Sequence, residues 1–201
     1  LSKELSKKEL LERSGYTSAV LEGLLKRGIL ESYEKEVGRL QVSVCRLQEP
    51  NPLSPAQEKA YGEIHETFKT KEVCLLHGVT SSGKTEIYVR LIHEVLRLGR
   101  QVLYMLPEIA ITTQITERLA KLFGDKLLVY HSKFSDNERV EVWNKLLHND
   151  EPMLVLGVRS SLFLPFKDLG LIIVDEEHEN TYKQQDPAPR YHARNAAIVL
   201  A

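Results

Sequence analysis

A repeating rhythm constrains the fold of this 201-residue chain more than any other feature. Apolar runs at 73–76, 101–106, 127–130, 153–158 and 171–174 alternate with amphipathic segments at 86–98, 108–122 and 136–148. Strands that read as near-continuous Val, Ile and Leu are buried on both faces. Joined through helices, they predict an α/β domain with a parallel sheet and helices on each side. In such sheets ligands sit beyond the carboxyl ends of the strands, so the chemistry is sought along that one edge.

The first of those edges carries Gly78-Val79-Thr80-Ser81-Ser82-Gly83-Lys84-Thr85, between the run Val73–Leu76 and the helical pattern from Glu86 to Leu98. This is G-x-x-x-x-G-K-[ST], a phosphate loop, in strand–loop–helix context. The glycines let the backbone curl so that N–H groups point inward as an anion cradle, and the helix start adds the positive end of its dipole. Lys84 is placed to reach the β- and γ-phosphates, and the Thr85 hydroxyl to ligate Mg²⁺. The pattern predicts a nucleotide triphosphate site.

Leu171-Ile172-Ile173-Val174 delivers Asp175 and Glu176 to the same edge about 90 residues later. Asp175 is expected to hold Mg²⁺ directly or through its water shell, and Glu176 to orient and polarise the attacking water. Asp175-Glu176-Glu177-His178 is the pattern of helicase superfamily 2, in which the residue at the position of His178 couples nucleotide to polynucleotide; that role is favoured here over a plain hydrogen-bonded histidine at a strand end. Gln57 completes a capping box with Ser54 and, upstream of a phosphate loop, is also suited to read an adenine edge with its amide.

Turns after the other strands line the same edge. Thr112 sits in Leu106–Gln114, Tyr130-His131-Ser132 ends the third run, and Arg159 and Ser160 follow the fourth. Hydroxyls, free N–H groups and one guanidinium suit nucleic-acid phosphates. Singly these are ordinary turns; together they suggest a single-strand track. Downstream, the segment from Asn180 to Arg194 mixes aromatic, basic and amide residues with two prolines and no apolar period. Tyr182, Tyr191 and His192 are expected to stack on bases, Lys183, Arg190 and Arg194 to meet phosphates, and Gln184 to belong to the same coupling loop.

Residues 1–48 differ in texture. A capping box at Ser6–Glu9, Gly15, a helix capped by Thr17 or Ser18 with Val20, Leu21, Leu24 and Leu25 on one face, Gly28, and an alternating 40–44 make a winged-helix profile. Lys26 and Arg27, with Arg39 and Lys35, are candidate phosphate partners. Glu22, Glu31, Glu34 and Glu36 dilute that charge and leave a protein-interaction role open. Gln48–Pro52 reads as a linker, giving domains at 1–48 and 55–201 around a junction at 49–54.

Bulk properties exclude several classes. Net charge is −1, so any nucleic-acid site is a local patch. Cys45 and Cys74 lack zinc spacing and are far apart, which favours a reducing, cytoplasmic setting. No apolar run approaches the ~18 residues of a membrane span. The chain begins without Met and ends inside a helical pattern, the texture of an excised fragment.

The motifs Gly-Val-Thr-x-Ser-Gly-Lys-Thr-Glu, Leu-Pro-Glu-Ile-Ala-x-Thr, Arg-Ser-Ser-Leu-Phe, Asp-Glu-Glu-His and Tyr-Lys-Gln-Gln…Arg-Tyr-His-Ala-Arg occur here in that order. Over residues ~53–201 the chain resembles the PriA family of primosomal replication-restart helicases, which also places a winged helix ahead of the motor. The resemblance implies a first RecA-like ATPase lobe of a bacterial, nucleoid-associated, ATP- and Mg²⁺-dependent 3′–5′ DNA helicase. It implies forks and single strands as substrates, and primosome proteins and single-stranded DNA-binding protein as partners. It assigns adenine to Gln57, phosphates to Gly78–Thr85, Mg²⁺ and water to Asp175 and Glu176, and coupling to Tyr182–Arg194. Pro187-Ala188-Pro189 departs from the Gly that relatives tend to carry there. The second lobe with its arginine fingers and the zinc module of the full-length family lie outside this chain. An arginine finger is worth on the order of 10³–10⁵ in rate, so weak ATP binding and negligible hydrolysis are expected of the 201 residues alone. Another superfamily 2 translocase, or a winged-helix P-loop regulator, is the competing reading.

Overall fold

The computed structural model describes residues 16, 18–29, 47–79, 82–132 and 134–201. The chain divides into two compact units, Leu1–Val37 and Gly38–Ala201. In the first, α1 (Ser18–Lys26) ends where predicted: Gly28 takes φ 68°, and Gly28 N and Ile29 N donate to Leu25 O and Leu24 O at 3.1 Å each. A left-handed residue there closes the last turn and satisfies its carbonyls. Lys26 and Arg27 are exposed. The expected first helix, the Thr17 cap, Lys35, Arg39, the acidic residues 31–36 and the 40–44 ribbon lie outside the described residues.

The division falls at Val37/Gly38, ahead of the expected linker. Gln48 N donates to Leu122 O at 3.0 Å, Leu47 packs on the core, and Glu49 pairs with Arg97. The 47–49 stretch is therefore fastened to the larger unit, since Pro50 and Pro52 stop a helix but do not keep neighbouring residues off a surface.

That unit is an α/β domain. Helix α2 (Pro55–Phe68) opens with the Ser54 capping box and Pro at its first position. Helix α3 (Lys84–Arg97) follows the phosphate loop. Then come β1 (Gln101–Met105), α4 (Thr113–Phe123), β2 (Leu127–Tyr130), α5 (Asp136–His148), β3 (Leu154–Gly157), β4 (Leu169–Val174) and α6 (Ala193–Leu200). The sheet is parallel throughout, in the order β2-β3-β1-β4. Period-two alternation splits β1 between two cores. Val102 and Tyr104 join Ile92 and Leu96 of α3 and Leu119 and Phe123 of α4. Leu103 and Met105 join Val142 and Leu146 of α5 and Ala193 and Ala197 of α6. Helices thus cover both faces, as the continuous apolar runs required.

One expected strand is absent. Residues 71–79 form no ladder, and Leu75 is 74% exposed. Only alternate side chains bury: Cys74 against Ile64, Ile87 and Leu91, and Leu76 against the main core. A four-residue apolar run identifies extended chain with something to pack on, but not a hydrogen-bonding partner. The phosphate loop therefore hangs from a packed, unladdered segment facing β4.

Candidate nucleotide site and nucleic-acid rim

Gly83, with φ 82°, caps α3 and turns the chain so that Lys84 begins the helix. A Cβ at Gly83 would lie 2.4 Å from Gln57 Nε2. That nitrogen donates to Gly83 O at 3.0 Å, while Gln57 Oε1 accepts Ser54 N at 2.8 Å. Gln57 is thus a strut between the start of α2 and the phosphate loop, and still has one N–H and one lone-pair direction to offer. At the other end of the loop a Cβ on Gly78 would meet Ser82 Oγ at 2.9 Å. Lys84 Nζ donates to Gly78 O at 2.6 Å. Val79 and Ser82 are exposed and Thr85 is half-buried; Thr80 and Ser81 lie outside the described residues.

Because all four strands are parallel, every residue that follows a strand falls on one edge. Asp175 N donates to Met105 O at 3.1 Å as β4 ends, and Glu176 turns the chain at φ 48°. A non-glycine residue there is uncommon and is held at a cost of roughly 1–2 kcal/mol. A cavity of about 420 Å³ is lined jointly by Gly78, Lys84, Tyr88, Asp175, Glu176 and His178. The lysine of the phosphate loop and the acidic pair, 91 positions apart for Lys84 and Asp175, share one space.

Three tyrosines with no motif to mark them for this role surround Asp175. Tyr104 OH donates to Asp175 Oδ2 at 3.0 Å and Tyr88 OH to Oδ1 at 3.5 Å. Glu176 N also donates to Oδ1, at 3.0 Å. Tyr182 OH lies 2.7 Å from Asp175 O and 3.1 Å from Met105 O. Burial, and then the Asp175 charge, push all three phenols well above their ordinary range, so they remain hydrogen-bond donors.

Tyr182 corrects an expectation. At 1% exposure it sits in the core beneath Asp175 and has no face for a base. The 3-10 turn Asn180–Tyr182 turns the ring inward onto the core while Asn180 and Thr181 stay exposed, and the hydroxyl satisfies backbone carbonyls instead. The rest of the loop is tied back on itself. Lys183 and His192 form an antiparallel bridge, and Gln184 N donates to Tyr191 O at 2.9 Å. Gln184 Nε2 donates to Pro187 O and Pro189 O at 2.7 and 3.1 Å. Arg194 does not point to a free phosphate path: its Nη1 donates to Glu177 Oε2 at 2.6 Å. Lys183 and Arg190 are exposed, and His192 is half-buried. His178 is exposed, 3.9 Å from Glu176 Oε2.

On the rim, Arg159 Nη1 donates to Lys183 O at 3.0 Å and approaches Thr181 O at 3.5 Å, joining the turn after β3 to the loop. Ser160 is exposed. Thr112 caps α4, its Oγ1 accepting Ile115 N at 3.4 Å, and lines a cavity of about 710 Å³ with Glu108, Glu117, His131 and Glu138. Among the described residues no helix is long and apolar enough to cross a membrane.

A glycine-bounded cradle beside a strand-borne acidic pair at one edge of a parallel sheet is the arrangement of a P-loop nucleotide-binding domain. The chain belongs to the DEAD/DEAH box helicase family, whose model matches residues 54–198. Residues 1–37 match the winged helix domain described for PriA helicase of Bacteroidota. The chain is similar to the replication restart protein PriA of Bacillus subtilis, 43% identical over 96% of this chain and 24% of that protein. It is also similar to PriA of Synechocystis, 40% identical over 94% of this chain and 23% of that protein. PriA of Rickettsia felis is 46% identical over 73% of this chain and 22% of its own length. The chain therefore spans about a quarter of the length of these relatives. Among solved structures, a Type ISP restriction-modification enzyme, LlaBIII, shares the fold at TM-score 0.52 and 19% identity, over 74% of this chain and 12% of that one. Family membership makes the larger unit a nucleotide-binding domain.

Proposed function

We propose that residues 55–201 are the first ATPase lobe of a 3′–5′ DNA helicase that acts in replication restart, preceded by a winged helix. The observation that carries this reading is the shared cavity of Lys84, Asp175 and Glu176 on one sheet edge. The similarity to replication restart protein PriA supplies the biological setting. Gly78–Thr85 cradle the triphosphate of ATP, Lys84 meets its β- and γ-oxygens, and Gln57 turns its remaining amide functions toward adenine. Thr85 and Asp175 would hold Mg²⁺, for which the carboxylate oriented by Tyr104 and Glu176 N is a fitting donor. Magnesium, when bound, neutralises charge on the triphosphate oxygens. Glu176 orients and polarises the water that attacks.

Forked and single-stranded DNA crosses the rim over Thr112, Arg159 and Ser160, and duplex contacts come from Lys26 and Arg27. His178 and the 182–194 segment couple the two sites, with primosome proteins and single-stranded DNA-binding protein as further partners, in the cytoplasm. Calorimetric titration of the full-length protein with magnesium–ATP tests the nucleotide assignment. Binding heat is expected in the wild type and its loss in Lys84→Ala, with folding retained. No heat from the full-length wild type would overturn it.

A further inference from the structure

The turn after β3 presents an aromatic ring that the core does not use. Arg159–Phe163 forms a 3-10 turn in which Ser161 and Leu162 are buried. Ser161 Oγ donates to Val158 O at 2.5 Å, and a Cβ at Gly157 would lie 2.4 Å from Ser161, so the turn is clamped against the strand it leaves. With its neighbour pinned inward, Phe163 is directed out and stays 59% exposed. Its ring is held edge-to-face by Tyr191, with centroids 4.9 Å apart and planes at 77°. The Tyr191 hydroxyl is 3.5 Å from Arg159 O, and Arg159 is bonded to Lys183 O. An exposed phenyl, a tyrosine packed edge-to-face on it and the Arg159 guanidinium, bonded to the backbone carbonyl of exposed Lys183, thus lie on adjoining turns.

We propose that Phe163 is a stacking platform for an unpaired base of single-stranded DNA, with Arg159 and Lys183 meeting the flanking phosphates. The patch combines what single-strand binding uses: a π-face tolerant of any base beside charges that follow the backbone. Duplex bases keep their faces stacked on each other, so the occupant is a single strand. The assignment rests on the DNA reading above and deepens it, because it moves base contact from Tyr182, which is buried, to a residue on the neighbouring turn.

Fluorescence anisotropy of the 201-residue chain with a labelled oligothymidylate tests it. Phe163→Ala and Phe163→Leu should weaken binding roughly 5- to 150-fold, the range of one base–aromatic stack. The slope of affinity against salt should be unchanged, whereas Arg159→Ala should reduce it. Phe163→Trp should retain affinity, and on an abasic strand of equal length the Phe163→Ala and wild-type chains should bind alike. Wild-type binding with no loss in Phe163→Ala would overturn this proposal alone, as would an equal loss on the abasic strand, which would show a merely structural role. Failure of the wild-type chain to bind any single strand would overturn the DNA reading and this proposal together.

Discussion

Tyr104→Phe isolates the device that holds Asp175. The ring is 1% exposed and its hydroxyl donates to Asp175 Oδ2 at 3.0 Å, so the substitution removes one charge-assisted bond and little volume. Such bonds contribute about 1.5–3 kcal/mol. Asp175 is half-buried and opens onto the cavity, so water replaces part of the lost donor and the lower figure applies. For a domain of this size each kcal/mol moves the melting temperature by roughly 2–4 °C, giving a fall of about 3–6 °C. Tyr88→Phe is the internal control: its contact with Oδ1 is 3.5 Å, at the limit of a bond, and the change should cost less than about 1 °C. Differential scanning calorimetry reads both. Magnesium titration at fixed ATP should show half-saturation rising in Tyr104→Phe, because the freed carboxylate samples rotamers that face away from the cavity. Identical melting of Tyr104→Phe and wild type, or equal losses in the two variants, would refute the positioning argument.

Gly83→Ala imposes a side chain at φ 82° and drives Cβ to 2.4 Å from Gln57 Nε2. Strain of about 1–2 kcal/mol is expected, and a Gln57→Ala background should relieve only the clash; unchanged melting in the single variant would contradict this. His93 is buried with an unpartnered Nε2, and burial together with the Arg97 charge lowers its pKa below 6.5. The unfolded chain then binds a proton more readily, so stability from neutral His93 is complete above pH 6.5 and is lost as pH falls through and below it. Wild type should lose melting temperature between neutral and acidic pH more steeply than His93→Leu, with a residual slope from His192, which is lowered in the same direction; parallel curves would count against the assignment. Tyr182→Phe removes the hydroxyl between Asp175 O and Met105 O. In the full-length protein it should leave ATP binding intact and diminish stimulation by single strands, and undiminished stimulation in a steady-state ATPase assay would exclude the link.

The α/β architecture was legible because its cause is local and repeated. Four of the five apolar runs became parallel strands, and the helices between them carry one apolar face each, which is all a two-layered cover requires. The capping box at Ser54 was equally readable, since it depends on residues three apart. The exception was 73–76. Nothing within four residues distinguishes a strand that finds a ladder from one that only lays alternate side chains on a core, and here Cys74 and Leu76 bury while Val73 and Leu75 do not. Strand order, which seats β3 and β4 on either side of β1, is a property of the assembled sheet and has no signature in any single run.

The candidate site divides along the same line. The cradle and the acidic pair are contiguous motifs, so spacing alone sends both to one edge. The residues that orient them come from distant positions: Tyr88 lies 87 residues from Asp175 in sequence and Tyr104 lies 71 away. A tyrosine at the centre of a strand reads as core, and only the tertiary fold shows where its hydroxyl ends. Composition misleads in the opposite sense in the 182–194 segment, where Tyr182 and Tyr191 look alike. Burial separates them: Tyr182 anchors the root of the loop to the Asp175 carbonyl, whereas Tyr191 packs at its far end against exposed Phe163. The root and the far end are joined by the Lys183–His192 bridge and by Arg159. On the coupling role proposed above, a ligand that shifts the Phe163–Tyr191 pair is expected to act through this hydrogen-bonded ribbon on the backbone of Asp175.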